Sequence, residues 1–189
     1  MEGWRRDLWY DETGLQWVKP SPNLPRLESA IVYPGTCFFE GTNLSEGRGT
    51  LHPFEEVGAP FADGNKWADR LNQIGMPGVR FAGIRFTPDS IPSVVDNPKY
   101  RGLECGGIRV EVTDRNVYEP VKTSVYMLST ARLLFPNEFR WKAGWIDKLA
   151  GTPVLRESIE SGMSPDRIVE RWKKEVDRFR AERKQYLLY

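Results

Sequence analysis

Apolar residues recur at helical spacing near the end of the chain. Ile168, Trp172, Val176 and Phe179 mark one stripe, the signature of a helix with a single buried face. Ser164 supplies its N-cap and Pro165 takes the first helical position, where a missing N–H costs nothing. Asp166 adds negative charge at the positive end of the helix dipole. The pattern predicts a long C-terminal helix. The apolar ending Tyr186-Leu187-Leu188-Tyr189 predicts a terminus that docks rather than trails. Val121, Val125, Leu128, Ala131 and Phe135 give a second helix that starts at Pro120 and is stopped by Pro136. Shorter helices are expected over residues 67–74, ended by Gly75 and Pro77, and over residues 154–161, ended by Gly162.

Strand signals are shorter. Ile108, Val110 and Val112 alternate with Arg109 and Glu111, the period of a half-exposed strand. Val79 and Phe81 are in phase with each other, while Ile84 and Phe86 are out of phase with them, so a bulge near Gly83 is expected. Residues 36–39, Thr-Cys-Phe-Phe, read as a buried central strand. Residues 89–102 hold Pro92, Asp96, Asn97 and Pro98 without periodicity and read as an exposed, mobile loop.

Together these elements predict an α/β domain: a small mixed β-sheet flanked by helices, with a long C-terminal helix. Residues 1–189 form one domain, since 189 residues lies within the usual range for one. Its character changes near Pro120, giving a mixed α/β part over 21–119 and a helical part over 120–189. Residues 1–20 stand apart as an aromatic segment, with Trp4, Trp9, Tyr10 and Trp17 set among Arg5, Arg6, Asp7, Asp11 and Glu12. Such a segment suits either a carbohydrate cleft or an interface with another folded unit.

Charge narrows the function classes. Twenty-seven basic against 26 acidic residues leave a net charge of +1, which removes the electrostatic case for nucleic acid and for a polybasic membrane anchor. No apolar run approaches the ~20 residues of a spanning helix. The basic start is followed by no hydrophobic stretch, so no signal peptide is expected in it. Cys37 and Cys105 are too few for a disulfide scaffold. They form one bridge or two buried thiols, and the usual burial of free cysteine favours the thiols.

The densest chemistry lies at residues 40–50, where Glu40, Asn43, Ser45, Glu46, Arg48 and Thr50 are interleaved with three glycines. Groups of this kind beside a buried element must satisfy one another or face a ligand. In one reading Arg48 grips a carboxylate through its planar fork, while Asn43 and the hydroxyls bind sugar or amide groups. In the other, the loop is self-satisfied, with Arg48 paired to Glu40 or Glu46. A phosphate loop counted from Gly41 would need glycine where Glu46 stands. Gly47-Arg48-Gly49 lacks the third glycine of a dinucleotide fingerprint. His52, the single histidine, has no nucleophile placed beside it by the sequence. With two distant cysteines it makes only a weak zinc set.

Residues across nearly the whole chain resemble one family. Pro22-Asn23-Leu24-Pro25, Tyr33-Pro34-Gly35-Thr36-Cys37, the run 40–50, Pro53-Phe54-Glu55 and Gly58-Ala59-Pro60 occur in this order. The opening Gly3-Trp4-Arg5-Arg6 with Trp9-Tyr10-Asp11-Glu12, then Pro77-Gly78-Val79-Arg80-Phe81 and the ending Arg183-Lys184-Gln185-Tyr186, fit as well. The pattern is similar to the NamZ-type exo-β-N-acetylmuramidases. The resemblance implies a peptidoglycan-directed glycoside hydrolase that removes terminal N-acetylmuramic acid from non-reducing ends, with an extracytoplasmic location and no cofactor or metal. It implies a Rossmann-like N-terminal domain, a smaller C-terminal domain and a cleft between them. This chain resembles the C-terminal half, with residues 1–20 facing the other domain and catalysis by the chain alone not expected.

The implied partners are a muropeptide or other peptidoglycan-derived saccharide and the N-terminal domain. The implied substrate-binding residues are Glu40, Asn43, Ser45, Glu46, Arg48 and His52, with Arg48 suited to the lactyl carboxylate and Asn43 to the acetamido group. Glu40 and Glu46 are candidates for one of the two carboxyl groups a glycosidase needs, or for positioning Arg48. The catalytic residues themselves remain unassigned. The alternative is a non-catalytic cell-wall-sugar-binding module, or a purely structural auxiliary domain.

Overall fold

The computed structural model describes residues 3–188. At its centre is a three-stranded antiparallel sheet of β1 (Glu56–Ala59), β2 (Val79–Phe86) and β3 (Cys105–Val112), in the order β1-β3-β2. Six α-helices pack around it among the described residues: α1 (Leu27–Thr36), α2 (Gly64–Ile74), α3 (Pro120–Leu134), α4 (Ala143–Ala150), α5 (Val154–Glu160) and α6 (Pro165–Arg183). The mixed α/β class and the long C-terminal helix are as expected. No helix among the described residues is long and apolar enough to cross a membrane.

Helix α2 packs on the sheet. Asp63 caps it, accepting from the Lys66 N–H at 3.0 Å, and Gly75 closes it in the left-handed conformation. Its Trp67 is fully buried and donates its indole N–H to Thr130 Oγ at 3.0 Å, which ties α2 to α3. Helix α3 begins at Pro120 and carries Val125, Leu128 and Ala131 inward as expected. It is more central than its apolar stripe suggests, because Thr123, Ser124, Tyr126 and Met127 are buried too.

Five sequence expectations are corrected. Residues 36–39 are not a strand: Thr36 ends α1, and Cys37–Gly41 continue as a 3-10 helix. The buried face of α1 is Ser29, Val32, Gly35 and Thr36, mostly small or polar residues that hide helical periodicity. No bulge breaks β2, whose pairing with β3 runs unshifted from Val79 opposite Val112 to Phe86 opposite Cys105. The phase change arises because Phe81 and Phe86, both buried, lie on opposite faces of one straight strand.

Residues 89–102 do not stand free of the body. Pro98 is buried and Asp89 N–H donates to Gly49 O at 2.9 Å. In α6, Ile168 is buried and Trp172 half-buried, but Val176 and Phe179 are 41% and 61% exposed. The predicted stripe is therefore covered only over its first turns. Tyr186 and Leu188 are exposed, against the expectation of a docked terminus, and Tyr189 lies outside the described residues. Cys37 and Cys105 are both free and buried, the thiol alternative of the two.

Candidate functional site

The chain leaves the 3-10 helix at Gly41 and lays the polar run against the outer edge of β1. Ser45 and Gly58 exchange backbone hydrogen bonds at 2.7 and 3.0 Å, which makes the run a one-residue extension of the sheet. The Ser45 hydroxyl accepts from Gly47 N–H at 3.2 Å and is buried. Asn43 spends its amide on the chain itself: it donates to Glu138 O at 2.9 Å and accepts from Arg140 N–H at 2.8 Å.

The charged tips meet one another. Arg48 lies 3.2 Å from Glu40 Oε2 through one terminal nitrogen and 3.3 Å from Glu46 Oε1 through Nε. Its guanidinium also stacks over the Phe54 ring at 5.1 Å. Phe54 adopts φ 66°, the left-handed region that a bulky residue avoids. Such a residue costs of order 1–3 kcal/mol and persists only where its surroundings hold it. Tyr33 packs edge-on against the ring at 4.8 Å, and Phe54 N–H donates to Glu46 O at 2.7 Å.

One member of this cluster had no sequence signal. Lys99 reaches in from the 89–102 loop, donates to Phe39 O at 2.9 Å and to Leu44 O at 2.8 Å, and forms an ion pair with Glu46 Oε2 at 2.9 Å. Burial holds its ammonium below the ordinary lysine range, and Glu46 pulls in the other direction. The same loop sends the Tyr100 hydroxyl to Asn43 O at 2.7 Å. Gly49 permits the loop to approach at Asp89: at φ 84°, a Cβ there would lie 2.4 Å from Asp89 O.

Side-chain exposure is 18% for Glu40, 30% for Arg48 and 6% for Glu46. The cluster is thus a closed ion network with one partly open edge, formed by Glu40 and Arg48. Beneath it, burial and the nearby Glu40 push the Cys37 thiol up to about 11 and raise the Tyr33 phenol, for which burial is the larger cause. Neither group is ionised near neutrality.

His52 falls in a second network. Its Nδ1 lies 2.6 Å from Arg26, which is also hydrogen-bonded to the buried Glu55; Ser29 donates to the other Glu55 oxygen at 2.6 Å. A guanidinium can only donate, so His52 Nδ1 accepts and the ring proton sits on Nε2. Glu55 also lines a hollow of about 570 Å³ with Glu28, Ile31 and the end of β3. The structure therefore divides the sequence-selected residues: Glu40, Glu46 and Arg48 meet, with Asn43 and Ser45 as their frame, and His52 stands with Arg26 and Glu55.

The aromatic leading segment lies across the far end of β3. None of residues 3–20 is buried. Trp9 donates to Asn116 at 3.0 Å and lies 5.0 Å beneath Arg115, which itself pairs with Asp11 at 2.7 Å.

Comparison with known proteins divides the chain at nearly the same place. The family description "Exo-beta-N-acetylmuramidase NamZ, C-terminal" matches residues 31–189, and its N-terminal counterpart matches residues 1–28. The chain is 42% identical, along its whole length, to the peptidoglycan beta-N-acetylmuramidase NamZ of Bacillus subtilis strain 168, and covers 44% of that protein. It thus spans less than half the length of this curated relative. Two crystal structures of DUF1343 family proteins from Bacteroides fragilis share the fold. One has a TM-score of 0.88 at 27% identity, covering 99% of this chain and 49% of that one; the other has 0.69 at 35% identity, covering 90% and 43%.

Proposed function

The chain belongs to the NamZ exo-β-N-acetylmuramidase family, and on that premise we propose that it is the cleft-forming C-terminal half of a hydrolase that removes terminal N-acetylmuramic acid from the non-reducing ends of peptidoglycan fragments. The observation that carries the reading is the 42% identity to a peptidoglycan β-N-acetylmuramidase, over a match that spans the whole chain. Turnover then requires a Rossmann-like N-terminal domain.

Within this half, Glu40 and Arg48 present the open polar edge to the saccharide, Asn43, Ser45 and Glu46 hold that edge in place, and His52 offers a separate contact from its network with Arg26 and Glu55. Arg48 keeps part of its guanidinium open beside Glu40, which suits a sugar-borne carboxylate. A glycosidase needs two carboxyl groups across the scissile bond. Glu40, the more open of the two glutamates on Arg48, is the candidate from this chain for a supporting role at one side.

The test uses a chromogenic β-N-acetylmuramide. This chain is co-expressed with the part of the Bacillus subtilis relative that lies ahead of the matched stretch. Turnover by the pair and by neither component alone is expected. A folded, associated pair without turnover would end the reading. The closed pairing of Arg48 with Glu40 and Glu46 supports a second reading, a purely structural auxiliary domain. Arg48→Ala separates the two: a raised KM in the pair points to saccharide contact, whereas a lowered Tm with unchanged KM points to scaffolding.

A further inference from the structure

A groove of about 670 Å³ runs between the start of α3 and the outer face of α6. Its floor is apolar, made by Tyr118, Val121, Trp172 and Val176. Its rim carries both signs of charge, with Glu119 paired to Lys122 at 3.0 Å and Asp177 to Arg180 at 3.3 Å. An apolar centre inside a polar, mixed-charge rim is the anatomy of a protein interface. A rim of balanced charge offers nothing to a phosphate backbone or an anionic lipid surface. Val176, and Phe179 one turn further on, stand exposed along the same face of α6.

Tyr118 is the second observation. It is only 7% exposed, and its hydroxyl has no hydrogen-bond partner among the described residues. Its ring walls this groove on one side and, on the other, an apolar hollow of about 370 Å³ beneath Trp9. The groove is therefore continuous with the place where the leading segment lies on the domain. That segment matches the N-terminal domain description over residues 1–28.

We propose that the α3–α6 groove seats a NamZ-type N-terminal domain. The occupant is chosen by continuity: residues assigned to that domain already cross the domain surface on the other side of Tyr118. The inference rests on the family reading for its occupant, but not on the chemistry of the polar run.

The probe is again the portion of the Bacillus subtilis relative ahead of the matched stretch, mixed with this chain and followed by sedimentation and calorimetric titration. Val176→Asp combined with Phe179→Asp should weaken association by about tenfold or more, the scale at which an interface anchor is felt. Leu133→Asp, an exposed position on α3 outside the groove, should leave association unchanged. Tyr118→Phe removes only a hydroxyl sealed inside the chain, so it should leave association unchanged while the isolated chain keeps or raises its Tm.

Association that survives the double variant unchanged overturns the inference, even if the pair turns over substrate. Self-association of this chain through the groove, abolished by Val176→Asp, overturns it in favour of a second copy. Groove-dependent association without turnover supports the inference and sinks the hydrolase reading instead, so the two fail separately.

Discussion

The polar run at residues 40–50 and the outer face of α6 were both selected by sequence pattern, and the fold treats them in opposite ways. The run is closed: Arg48 bridges Glu40 and Glu46, and Lys99 enters from a distant loop to complete the set. The α6 face is open, with Val176 and Phe179 meeting solvent. The difference follows from the cost of leaving each kind of group unmatched. A buried charge without a partner costs several kcal/mol, so the chain must supply the partner itself. An exposed valine or phenylalanine costs little on its own, so its cover can come from elsewhere.

The largest test of this contrast is Glu46→Ala. It strands Lys99 and part of Arg48 in a buried site, so unfolding free energy should fall by about 3–5 kcal/mol in denaturant titrations. A loss below about 1 kcal/mol would mean that the network is solvated and not closed. Alkaline stability examines the same region. The Cys37 thiol is raised from 9.0 to about 11 in the folded chain. Its contribution is therefore fully present below pH 9 and is lost as pH climbs through 11. Urea titrations of the parent against Cys37→Ala should diverge over that window by on the order of 2–3 kcal/mol. Parallel curves would show that the space beneath the cluster is wet.

Gly49→Ala is expected to cost roughly 1–3 kcal/mol, from positive φ and the approach of Asp89 O. It should also release the 89–102 loop, raising amide exchange there before elsewhere. The smallest effect belongs to the open region. In the isolated chain, Val176→Asp with Phe179→Asp should shift stability by no more than about 0.5 kcal/mol. A larger loss would mean that this face already has a cover within the chain.

Legibility in the sequence divides along related lines. Local chemistry announced itself: Ser164 and Pro165 begin α6, Pro120 begins α3, and the Ile108–Val110 alternation lies in β3. Helix α1 was hidden because its inward residues, Ser29, Gly35 and Thr36, are small or polar and Pro34-Gly35 reads as a turn. Lys99 was hidden because an aperiodic loop gives no sign of where its side chains end. The residue types of the polar run were readable, but their pairing was not, since it depends on a lysine more than fifty positions away. Periodicity along α6 reported an apolar face and was silent about what covers it.

The contact between His52 Nδ1 and Arg26 carries one more consequence. With that nitrogen occupied by a guanidinium, the imidazole has a fixed polarity: toward the outside it can give a hydrogen and cannot take one. A carbonyl, alcohol or acid oxygen arriving there is welcomed, while an ammonium is turned away, and this single arginine enforces the choice.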